Sequence, residues 1–76
     1  MGALDELVEI SRMRRRLPEP AMRQHLRRRA RLTQEDVAEA VGVDRATLSR
    51  WESGARTPRG DRLARYVAVL DRLAAS

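Results

Sequence analysis

The residues that could do chemistry in this chain are few in kind. It holds sixteen arginines, no lysine, no cysteine and a single histidine, His25, beside eleven acids in 76 residues. Nucleophilic catalysis needs a nucleophile, a positioned base and a group that orients the base. No Cys nucleophile exists, and no Ser/His/Asp set can be assembled around a lone histidine inside an Arg-rich stretch. A structural zinc site needs about four Cys or His ligands, so metal chemistry is nearly excluded as well. There is no glycine-rich phosphate loop. The acid pairs Asp5-Glu6 and Glu35-Asp36 open helical stretches, where the helix dipole accounts for them without any reaction. What remains is arginine itself, a planar, permanently charged fork that suits phosphate and guanine. The expectation is no enzyme, no cofactor and no metal.

The charge balance agrees. Net charge is +5 and the sequence pI about 11.4, which favours a polyanionic partner over an acidic small molecule. Residues 1–20 carry Arg12, Arg14, Arg15 and Arg16 against Asp5, Glu6, Glu9 and Glu19, and balance at zero. Residues 21–76 carry twelve arginines against seven acids and supply the whole excess. Arginine without lysine also follows from a GC-rich coding sequence, so the residue type alone does not name the partner. No apolar run approaches the roughly 18 residues of a membrane span. The opening Met-Gly-Ala-Leu-Asp-Glu lacks the order of an export signal, and without cysteine the expected compartment is a reducing cytoplasm.

The elements that must position these arginines are all helical, and the spacing predicts about five of them in a small bundle. Leu4, Leu7, Ile10 and Met13, with Val8 beside them, place a helix over 4–16, acidic at its start and basic at its end. Leu17-Pro18-Glu19-Pro20 breaks it and is the one internal boundary, separating an amphipathic helix and linker (1–19) from the rest (20–76). A second helix starts at Pro20 or Ala21 and runs through Met22, Leu26 and Ala30, with Leu32 closing its buried face. Thr33 and Asp36 form a near capping box for a third, with Val37, Ala38 and Val41 inward and Gly42 at its end. Asp44 caps a fourth, which buries Leu48 and Trp51 and ends at Ser53-Gly54. Asp61 caps the last, with Leu63, Tyr66, Val67, Leu70 and Leu73 on one stripe.

The span Gln34 to Gly54 resembles the helix-turn-helix of the lambdoid phage repressor and Cro family, also called xenobiotic-response-element-like. The matching positions are Gln34, small Ala38, Gly42 at the turn, Val43, Leu48, Trp51-Glu52, Gly54 and Pro58. The likeness extends from about Leu26 to Leu70, with the motif itself at 33–54. It implies a lambda repressor-like all-α fold, to which the spacing over 4–16 adds one extra helix in front. It also implies a sequence-specific regulator of transcription, a repressor or Cro-like switch, whose recognition helix (44–52) enters the major groove of an operator.

By that resemblance Arg45 and Ala46, with Ser49 and Arg50 further along, touch base edges. Gln34 and Thr47 grip the backbone, as do Arg31, Arg56 and Arg59, while Arg27 and Glu52 form a structural ion pair. Either arginine could instead hold only phosphate, and Thr47 could equally face solvent or a thymine methyl. The family often has Gln where Arg45 stands, so the departure points to a more GC-rich site.

The resemblance is silent on residues 1–20. Their stripe could pack on the bundle, self-associate or bind a partner protein through residues 4–16, or stay disordered. Arg12 to Arg16 could follow phosphates or be merely solvated. A symmetric homodimer on DNA is expected, through the last helix or the first. An antitoxin-type module that binds a protein as well as its operator is the main alternative, and an architectural or recombination-directing DNA binder is another.

Overall fold

Prolines and left-handed glycines punctuate the chain into its elements. A computed structural model describes residues 2–76, and among them are five helices and no strand. α1 (Ala3–Arg16) has Asp5 and Glu6 in its first turn and Arg14 to Arg16 in its last, and stops where Pro18 forces Leu17 into an extended conformation. α2 (Pro20–Arg29) takes Pro20 at its first position, where no amide hydrogen is required. It closes with Leu32 N–H donating to the Arg27 carbonyl at 3.2 Å and Arg31 N–H to that of Arg28 at 2.9 Å, which leaves Arg31 itself at φ 60°.

α3 (Gln34–Val41) opens on a complete reciprocal box. The Asp36 N–H donates to Thr33 Oγ1 at 3.0 Å and the Thr33 N–H to Asp36 Oδ2 at 2.8 Å, bonds that hold the Asp36 carboxyl below its usual range. Gly42, at φ 89°, then turns the chain into α4 (Arg45–Ser53), whose cap Asp44 accepts the Thr47 N–H at 2.8 Å. Gly54 ends α4 at φ 81°, and a Cβ there would stand 3.2 Å from Pro20 Cγ, so the end of α4 lies tight against the start of α2. α5 (Gly60–Ala75) is flanked by Arg59, which makes no side-chain cap bond. Asp61 is therefore not the cap expected from sequence. The helix begins at Gly60, two residues earlier than that cap implies, and Asp61 stands in its first turn, where the dipole still favours it.

The core is built from Leu26, Val37, Ala38, Val41, Leu48, Trp51, Tyr66 and Leu70, with Leu17, Leu32, Val43, Val69 and Leu73 packed partly against it. Trp51 and Tyr66 are its largest pieces, their rings 5.0 Å apart and tilted by 37°. On α2 the stripe is not the expected one. Met22 is 47% exposed, and the buried positions are Arg23, Leu26 and Arg27. Both arginines reach backbone or carboxylate acceptors, which is what makes their burial tolerable and turns Met22 outward. α1 rests on α5 through its second half: Met13 and Leu17 are half-buried and Arg16 pairs with Asp71. Leu4, Leu7, Val8 and Ile10 stay exposed.

Candidate nucleic-acid interface

α4 divides cleanly into two sides. Leu48, Trp51 and Glu52 are buried, while Arg45, Ala46 and Arg50 are exposed and Thr47 and Ser49 half-exposed. The exposed face starts at the helix N-terminus, where free amide hydrogens attract anions. Asp44 already occupies one of them by accepting the Thr47 N–H, and these Thr47 bonds, helped by Arg50 and Arg62, keep its carboxyl below the usual range. The half-burial of Thr47 thus has a local origin, in the cap that fixes the helix start.

Behind this face runs a chain of polar contacts. Arg45 Nη1 donates to Gln34 Oε1 at 3.3 Å, Gln34 Nε2 donates to Glu52 Oε1 at 3.1 Å, and Glu52 holds Arg27 by two bonds, at 2.5 Å from Nε and 2.9 Å from Nη2. Arg27 Nη1 also donates to the Leu32 carbonyl at 2.9 Å. The bond to Glu52 raises the pKa of the Arg27 guanidinium against the cost of burial. The two motif helices are consequently tied to α2 and to each other through one carboxylate, and Arg45 is held by the last member of the series. Double donation from a guanidinium to a carboxylate is charge-assisted, about twice as strong per bond as a neutral pair, and fixes orientation as well as distance.

Arg23 is the residue that sequence reasoning missed. Its Nε donates to the Pro18 carbonyl at 2.6 Å and its Nη1 to the Trp51 carbonyl at 2.8 Å, joining the linker before α2 to the last turn of α4. Burial lowers its pKa, yet a guanidinium remains charged. An arginine four residues before another reads as a solvated face. The one available signal was the thinness of the stripe Met22, Leu26, Ala30, too narrow to bury a helix on three sides.

Of the remaining arginines, Arg56 and Arg59 lie exposed in the segment after α4, on either side of buried Pro58, and the Arg56 N–H donates to the Arg50 carbonyl at 3.2 Å. Arg31 is exposed at the α2–α3 corner, two residues before Thr33, the cap of α3. His25 is exposed on α2, and no group of three or more His, Cys, Asp or Glu able to hold a metal is found among the described residues. None of the described helices is long and apolar enough to cross a membrane.

A family model described as helix-turn-helix, of the lambda repressor and Cro-like type, matches residues 24–73. The chain belongs to the helix-turn-helix family. It is accordingly a DNA-binding transcription regulator of the helix-turn-helix type, and the family is regulatory rather than catalytic. The match takes in α3, α4 and the Arg27–Glu52 pair, and leaves α1 and the linker outside. No curated protein and no solved structure matches this helix-turn-helix protein.

Proposed function

We propose that this helix-turn-helix protein is a repressor or Cro-like switch that recognises a specific duplex operator by placing α4 in the major groove. The observation that carries the reading is the two-sided α4. Leu48, Trp51 and Glu52 anchor it, while Arg45, Ala46, Ser49 and Arg50 stand on the free side. In this reading Arg45 and Arg50 take guanine O6 and N7, each contributing about 1–3 kcal/mol of discrimination, with Ala46 and Ser49 filling the groove between them. Gln34, Thr47, Arg31, Arg56 and Arg59 bind sugar and phosphate and set the register. Arg27 and Glu52 contribute indirectly, by holding Gln34 and through it Arg45.

A helix of this length spans few base pairs, so the operator is proposed to be bound by a homodimer with half-sites about one helical turn, roughly 34 Å, apart. The protein then acts in the cytoplasm, at the nucleoid. Selection of bound duplexes from a randomised library tests the reading. A GC-containing palindrome is expected, and no enrichment over random sequence would sink it.

A further inference from the structure

The side of α1 turned away from α5 has no partner within the chain. Leu4, Leu7 and Val8 are 78, 60 and 46% exposed. With 3.6 residues per turn they share one face with Ser11, opposite the side on which Met13 and Leu17 meet the bundle. Charge decides what fits this face. The first half of α1 carries Asp5, Glu6 and Glu9 and no base; the second half carries Arg12, Arg14, Arg15 and Arg16 and no acid. A parallel copy of the same helix would set like charges together. An antiparallel copy sets acids beside arginines and also opposes the two helix dipoles.

We propose that the occupant is a second copy of this chain, paired antiparallel through α1 about a two-fold axis that crosses between Leu7 and Val8. Leu7 then meets Val8 of the partner subunit, and Leu4 lies beside Ser11 of the partner subunit, closing a small apolar centre. Asp5 and Arg12 project from the same flank of the face. A two-fold of this kind brings like flanks together, so Asp5 and Arg12 of the partner subunit come within about 3 Å of each other along the axis. The reciprocal pair forms by symmetry, giving an isologous interface that is complementary to itself.

In the chain alone Arg12 pairs with Glu9 at 3.0 Å, with both side chains largely exposed, so it remains free to bridge a second carboxylate. The patch is smaller than the roughly 800 Å² per partner of a standard interface, so the dimer is weak in solution and tightens when two copies occupy neighbouring half-sites. The surface rests on the operator-binding reading only for its purpose, because pairing itself requires no DNA.

Charge exchange between subunits tests the geometry. In sedimentation equilibrium of the full chain, Asp5→Arg and Arg12→Asp should each move the monomer–dimer midpoint to about tenfold higher concentration. An equimolar mixture of the two variants should recover the original midpoint, since both pairs are then restored across the interface. Leu7→Glu should abolish dimerisation, with circular dichroism showing that helix content is kept.

A wild-type chain that stays monomeric at the highest soluble concentration would overturn the proposal. So would a mixture no better than its components, or a Leu7→Glu variant that sediments like the wild type. Binding to a duplex carrying one half-site is measured alongside. Its retention in the charge variants supports the proposal. Its absence in the wild type removes the operator reading and leaves the test of self-association intact.

Discussion

Glu52 is the residue that ties the motif helices to α2, because one buried carboxylate serves Arg27 and Gln34 at once. A buried ion pair adds little over a well-packed apolar pair, but removing one partner strands the other. Glu52→Gln is therefore expected to lower stability by about 3–5 kcal/mol in urea unfolding, with Arg27 left as an uncompensated buried cation.

Tyr66 gives a cleaner readout, since the chain has no other tyrosine, no lysine and no cysteine. Burial pushes its pKa up to about 12, and its hydroxyl is buried without a hydrogen-bond partner among the described residues. An unfolded tyrosine ionises near 10, so the folded state disfavours the phenolate. The sign follows: the Tyr66 contribution to stability is flat below about pH 10 and falls as pH rises from about 10 to 12, by about 3 kcal/mol in all. Melting temperatures across that window check it. Tyr66→Phe should remove the slope and cost nothing at pH 7, because a buried hydroxyl without a partner is lost.

At the scale of the elements, the corners separate folding from binding. Arg31 holds a left-handed conformation that costs an L residue about 1 kcal/mol, and no hydrogen bond of its side chain offsets this among the described residues. Arg31→Gly should leave stability equal or slightly raised by thermal unfolding while weakening DNA binding on every sequence. Arg59→Ala should behave alike on DNA and flatten the salt dependence by about one counterion. Arg45→Ala on the motif's second helix is expected to differ in kind, relaxing preference at one base pair. A uniform loss across a randomised operator library would contradict its assignment to bases.

For the whole molecule, extents of 41 × 25 × 19 Å describe a bundle with α1 laid along one side, joined by its second half only. The buried centre runs through α2 to α5. Native-state hydrogen exchange should accordingly show two levels. Amides of Val41, Leu48 and Val67 should open only with global unfolding, while those of Val8 to Ser11 exchange through local opening of α1 at far lower free energy. Equal protection in both sets would mean that α1 is as firmly held as the core.

The helices were legible in the sequence wherever a local rule sufficed. The Thr33–Asp36 box, the Asp44 cap, the turn at Gly42 and the stops at Pro18 and Gly54 are written in neighbouring residues, because capping and backbone chirality act within one turn of chain. The motif that makes this a helix-turn-helix regulator was readable for the same reason. The start of α5 was misplaced by two positions, because the cap is Arg59, which makes no side-chain cap bond, and nothing local marks it against Asp61.

Tertiary structure alone decided the burial of Arg23, whose acceptors at Pro18 and Trp51 lie in segments that only folding brings together, and with it the exposure of Met22. It also decided that α1 splits its apolar residues between α5 and open solvent. A stripe along a helix specifies that some surface must cover it; which surface does so depends on where the rest of the chain leaves room.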